Sequence, residues 1–171
     1  GVDLPGESCG IMFDYKNFHE LEQATVAFGQ GISVTPLQLV SAISACVNGG
    51  YLLQPHILKE VRNNNNEIIY QAKRKVKRQV IKEETSKKVR DALESVVTDG
   101  GGRNAYIDGY RIGGKTGTAQ KAVNGSYVGG GYILSFVGIA PIDDPQIVLY
   151  IAMDNPKNCI QYGGTTVAPI A

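Results

Sequence analysis

Beyond the glycine run at 100–102 the apolar residues stop recurring at helical spacing. They fall instead into two strand-length runs, 132–140 and 146–154, separated only by a PIDDP turn. So short a link allows one pairing: antiparallel neighbours can share a tight turn, whereas a parallel pair needs a crossover of roughly a dozen residues. An extended segment at 110–120, built around GGKTGTAQ, precedes them and is read as a third sequential strand of the same sheet. Upstream, Val89, Ala92, Leu93, Val96 and Val97 recur at helical spacing, and Glu83 and Glu84 suit the positive end of a helix dipole. A helix over 83–98 is therefore expected to lie on that sheet. The expected fold class is α+β, an antiparallel sheet packed with helices.

A second helix is expected at 36–48. Thr35, Pro36 and Gln38 occupy the N-cap, first and third positions of a capping box, and Gly49 and Gly50 supply a left-handed stop. Its Leu37, Leu39, Val40, Ile43 and Val47 are apolar nearly all round, which marks scaffold buried on more than one side. Segments 51–61 and 67–70 read as the two strands of a hairpin around the Asn63 to Asn66 run, whose residues suit positive φ. The closing GGTTVAPIA looks like the start of another helix, with Thr165 or Thr166 as its cap. The chain opens at Gly1 inside what reads as a turn, and both of its ends are expected to be cut ends.

With 171 residues, 43% hydrophobic and 19% charged, the chain can build the core of one domain and is neither disordered nor a disulfide framework. Its apolar runs are strand-sized, short of the roughly 18 residues a membrane helix needs. The net charge of +1 conceals a segregation: −4 over 1–58, +7 over 59–90 and −2 over the remainder. The basic run Lys73, Arg74, Lys75, Lys77 and Arg78 has no interleaved aromatic residues and matches no nucleic-acid motif, so it reads as a solvated edge. Cys9, Cys46 and Cys159 are odd in number and widely spaced, with only His19 and His56 as companions. They are expected to be core thiols, the histidines ordinary loop or strand residues; no metal or other cofactor is implied.

The chemistry concentrates at 113–120, which fits two incompatible pictures. From Gly109 onward, GYRIGGKT matches the phosphate-loop pattern, and the apolar run ending in Asp154 imitates a magnesium-holding strand. That reading needs a glycine-rich cradle followed by a helix of several turns. Tyr110, Arg111 and Ile112 instead look like strand, while Gly117, Asn124, Gly125 and the 129–131 glycines would end such a helix early. In the second picture KTGT is a strand. Alternation puts the Thr116 and Thr118 hydroxyls on one face, Lys115 supplies a positive field, and a substrate carboxylate can be bound beside an edge open to an extended peptide. Gly117 leaves a vacancy that lets an underlying element approach closely, for example a helix bearing a nucleophile.

The blocks GVDLPGE (1–7), FGQGISVTPLQLVSA (28–42), NGGYLLQPHI (48–57), GGKTGTAQ (113–120), SFVGIAP (135–141) and GGTTVAPI (163–170) resemble the transpeptidase domain of class B penicillin-binding proteins. The likeness is to the sporulation and cell-division type and covers essentially the whole chain. It implies a partial penicillin-binding, β-lactamase-like fold and an acyl transfer that cross-links peptidoglycan stem peptides ending in D-Ala-D-Ala. An SxxK serine attacks, its lysine takes the proton, an SxN serine relays it, and an amine resolves the acyl-enzyme. Carried over, Lys115 faces the SxN serine, and Thr116 and Thr118 hold the carboxylate of the donor peptide or β-lactam. The Thr118 N–H contributes to the oxyanion hole, Gly117 is the close-approach position, and Gln120 either touches substrate or serves strand pairing.

The sequence departs from the family pattern where it matters most. None of the eight serines, Ser8, Ser33, Ser41, Ser44, Ser86, Ser95, Ser126 and Ser135, begins SxxK or SxN. The resemblance implies that both motifs and a membrane anchor lie upstream, on the extracytoplasmic side of the bacterial membrane. This chain would then be the C-terminal portion of one transpeptidase domain, inactive alone. Two further hypotheses stand beside it: a non-catalytic interaction or assembly module whose contact is the basic 73–82 segment or exposed sheet, open to self-association, and the nucleotide-binding reading.

Overall fold

The computed structural model describes residues 1–14, 16, 18–27, 29–121 and 131–171. Asn124, Gly125, Ser126, Gly129 and Gly130, and Phe28 of the second sequence block, lie outside the described residues. In chain order come α1 (Glu20–Ala27), α2 (Pro36–Val47), β1 (Tyr51–Leu53), β2 (Glu60–Arg62), β3 (Ile68–Gln71), β4 (Val76–Gln79) and α3 (Glu83–Thr98). They are followed by β5 (Gly113–Gln120), β6 (Tyr132–Ala140), β7 (Ile147–Asp154) and α4 (Gly163–Thr166).

The three long strands form one sheet in the order β5-β6-β7, antiparallel throughout, as the short PIDDP link requires. β6 is central and packed on both faces, which explains why its sequence is almost uniformly apolar rather than alternating. On one face Leu134 and Phe136 pack with Val97, Ala105, Val167 and Ala168. On the other, Val137 and Ile139 pack with Val47 and Ile142, backed by Ile43, Val89 and Leu93 of α2 and α3. Leu134, Phe136 and Ile139 are at most 1% exposed. Burial of each such side chain stabilises the fold by roughly 1.5–3 kcal/mol.

Helix α2 has the expected start. Thr35 Oγ1 accepts from Gln38 N–H at 3.1 Å, and Gln38 Oε1 accepts from Thr35 N–H at 2.8 Å. Gly49 and Gly50 both take positive φ at its end. Helix α3 lies against β5, and its N-cap residue Lys82 makes no side-chain cap bond.

Several expectations are corrected. The strand expected over 51–61 is two short strands, because Pro55 interrupts it and has no N–H to donate. The hairpin around the asparagine run is β2 with β3, with Asn66 at φ 65°. The basic run is a solvated edge, as expected, and its last residues belong to β4, the edge partner of β1 in a two-stranded antiparallel sheet, with exposed side chains. Helix α1 buries none of its residues, so no apolar face announced it in the sequence. Helix α4 starts at Gly163, with Tyr162 rather than a threonine at its N-cap. Cys9 is exposed and not a core thiol, whereas Cys46 packs beneath the α2 face of the core and burial pushes its thiol pKa up. Among the described residues no helix is long and apolar enough to cross a membrane.

Candidate active site

The segment 113–120 is extended along its whole length as β5, so no phosphate loop opens a helix at Lys115; the nucleotide reading fails on backbone geometry. β5 borders β6 alone and presents its other edge unpaired among the described residues, the condition for adding an extended peptide strand. Register pairs Lys115 with Val137, Thr116 with Phe136, Gly117 with Ser135 and Thr118 with Leu134.

Directly opposed residues share a face, so Thr116 and Thr118 stand on the Phe136 and Leu134 side, about 6.6 Å apart along the strand. Thr116 is half-buried and Thr118 exposed. Lys115 alternates to the other side, and its exposed Nζ donates to the Thr116 carbonyl at 2.6 Å. The ammonium thus caps a carbonyl of its own strand instead of standing between the two hydroxyls.

At Gly117 a Cβ would collide with Ser135 Oγ, a hydroxyl on the adjacent strand. A second close approach comes from α4. Gly163 N–H donates to Thr118 Oγ1 at 3.2 Å, and a Cβ on Gly163 would lie 2.6 Å from the Ser135 carbonyl oxygen. Gln120, at the end of β5, donates to Oη of its register partner Tyr132 at 3.4 Å.

The start of β5 is pinned by charge. Arg111 donates two bonds to the Glu94 carboxylate of α3, at 2.7 and 2.6 Å, and also contacts Asp143 of the turn between β6 and β7. The guanidinium holds the Glu94 carboxyl below the usual carboxylate range, and the two acids raise the Arg111 pKa. Among the described residues no group of three or more His, Cys, Asp or Glu is arranged to hold a metal ion.

Sequence reasoning missed Gly163, Ser135 and also Asn104, whose Nδ2 donates to the Gly164 carbonyl of α4 at 2.8 Å. The first two lay inside blocks that carried the family resemblance, GGTTVAPI and SFVGIAP, but neither had any spacing rule to suggest a role. Their relation to Gly117 and Thr118 exists only across strands and around a loop.

Comparison with known proteins agrees with this fold. The chain is 55% identical over 171 residues to Stage V sporulation protein D of Bacillus subtilis, covering 99% of this chain and 26% of that protein. It is 35% identical over 168 residues to the probable peptidoglycan D,D-transpeptidase PenA of Neisseria flavescens, covering 98% of this chain and 39% of that one. Penicillin-binding protein 3 from Mycobacterium tuberculosis, solved in complex with aztreonam, superposes with a TM-score of 0.89 at 33% identity, over 99% of this chain and 40% of its own. The transpeptidase domain of Burkholderia pseudomallei penicillin-binding protein 3 gives 0.82 at 36% identity, over 99% and 49%. The chain thus spans between about a quarter and two fifths of the two curated relatives. The model of the penicillin binding protein transpeptidase domain matches residues 1–171, and the chain belongs to that family.

Proposed function

We propose that this chain supplies the substrate-carboxylate wall of a peptidoglycan D,D-transpeptidase, the acylating serine being carried by a preceding part of the same domain. The observation that carries the reading is the edge strand 115–118, unpaired on its outer side among the described residues, with two threonine hydroxyls on one face and a lysine at its rim. In the reaction the serine oxygen bonds to the penultimate D-Ala carbonyl carbon. The bond to the terminal D-Ala nitrogen breaks, and that amine leaves with the proton. An incoming amine then bonds to the same carbonyl carbon, the bond to the serine oxygen breaks, and the proton lost by the amine returns to that oxygen, which leaves the cross-link and the free serine. Thr116 and Thr118 donate to the terminal carboxylate, which exists in the donor peptide and in β-lactams alike. The Thr118 N–H is one oxyanion donor, and Lys115 raises the potential beside the SxN serine. The whole protein would work on the extracytoplasmic face of the membrane, where its polymer substrate lies, held there by a preceding anchor.

A fluorescent penicillin, followed by denaturing electrophoresis, tests this reading. The parent protein is expected to be labelled covalently and this chain alone to remain unlabelled. Reproducible labelling of the isolated chain would overturn the half-site assignment, and an unlabelled parent would overturn the transpeptidase reading.

A subsidiary reading, self-association, is favoured by an apolar cleft of about 530 Å³ between Ile107, Tyr110, Ile112, Gly138 and Leu149, where Tyr110 is 70% exposed. Light scattering over a concentration series is expected to show mass growth; a constant monomer mass excludes it.

A further inference from the structure

We infer that Asn104 and Gly163 are positioning residues that set the direction of the Thr118 hydroxyl, an inference that rests on the transpeptidase reading above. A threonine hydroxyl carries one proton and two acceptor positions and turns freely unless a partner fixes it. Here one acceptor position is taken by Gly163 N–H, so the proton must point elsewhere and is kept for donation to an anion. Exposure of Thr118 leaves that proton an outward path.

Gly163 can come this close only without a side chain, since a Cβ would press on the Gly117 and Ser135 carbonyl oxygens. Something must also hold the first turn of α4 in place, because its N-cap residue Tyr162 makes no side-chain cap bond. Asn104 does so from the 3-10 turn Arg103–Ala105: its Nδ2 donates to the Gly164 carbonyl at 2.8 Å. Gly164 in turn has no room for a Cβ against the Gly101 carbonyl. The first turn of α4 is therefore clamped between the 101–104 loop and β5, and the clamp ends on Thr118 Oγ1. Asn104 touches no reacting atom and acts through this relay.

The test measures acylation of the parent protein by fluorescent penicillin for Asn104→Ala and Gly163→Ala, each with Thr118 and with Thr118→Val. Loss of one hydrogen bond of ordinary strength should slow Asn104→Ala by about three- to tenfold. In the Thr118→Val background the same change should cost less than about twofold, because there is no hydroxyl left to direct. Penicillin methyl ester, which lacks the anion, should likewise be slowed less than about twofold by Asn104→Ala. Asn104→Ala carries the decision, since Gly163→Ala forces backbone apart and threatens the fold. Equal slowing in both backgrounds, or none in the Thr118 background, overturns the inference and leaves the transpeptidase reading standing. No labelling of the wild-type parent overturns both.

Discussion

The ring of Phe136 occupies the space above Gly114 in which a side chain would otherwise begin: a Cβ on Gly114 would meet the ring and lie 2.8 Å from the Val137 carbonyl oxygen. The residue before Lys115 is thus the point where the candidate site is seated on the core, and Phe136 itself is only 1% exposed. Gly114→Ala is expected to destabilise the fold by about 1–3 kcal/mol through overpacking. A denaturant midpoint unchanged from wild type would show that β5 can shift to accept the methyl.

Ser86 is fully buried in α3, and its Oγ accepts from Gly49 N–H, the residue that stops α2, at 3.0 Å. Ser86→Ala leaves that amide without its acceptor, an expected cost of about 1–3 kcal/mol, and should loosen the α2–α3 contact. Ser86→Thr keeps an acceptor. Hydrogen exchange at Gly49 is expected to accelerate in Ser86→Ala, and an unchanged rate would contradict the bond's role.

The capping box of α2 also ties down the N-terminal segment, since Gln38 Nε2 donates to the Cys9 carbonyl at 2.8 Å. Thr35→Ala should cost about 1 kcal/mol, the ordinary value for an N-cap. Gln38→Ala should cost more, because it severs the segment near Cys9 as well. Thermal melts of the two variants, expected to rank in that order, check the claim.

Asp3 accepts from Ile57 N–H and Leu58 N–H at 2.7 and 3.0 Å, and these two amides hold its carboxyl below the ordinary range. A depressed folded-state pKa stabilises the attachment above the unfolded value, near pH ~4. That stabilisation is lost as pH falls through the lower folded value. Exchange at Ile57 and Leu58 is expected to rise, relative to other loop amides, only below about pH 4. In Asp3→Asn it should be fast already at neutral pH. A pH-independent ratio would rule out the attachment.

If the proposed transpeptidase function holds, Thr118→Val in the whole protein should slow acylation by penicillin about ten- to a hundredfold, the loss of one hydrogen bond to a charged group. Gln120→Ala, whose side chain serves Tyr132, should change it less than about twofold. Rates in the opposite order would relocate carboxylate recognition to the end of β5.

The three-stranded sheet, the α3 cover and the capping box were legible from sequence because each rests on local rules: turn length, apolar period and the reach of a side chain over three residues. The candidate strand 115–118 was legible for the same reason. β4 was hidden because its polar residues follow no apolar pattern and pair only through backbone bonds to β1, from which loop and hairpin separate them. α1 was hidden because it buries no residue. The local arrangement of the site belonged to tertiary structure. Alternation predicts that two hydroxyls share a face, but it does not say that Ser135 fills the Gly117 vacancy or that the Gly163 amide reaches Thr118. Those contacts join residues 18 and 45 positions apart. Only the folding of β6 back along β5, and the return of the chain to α4, brings them together, and no short-range preference encodes such an approach.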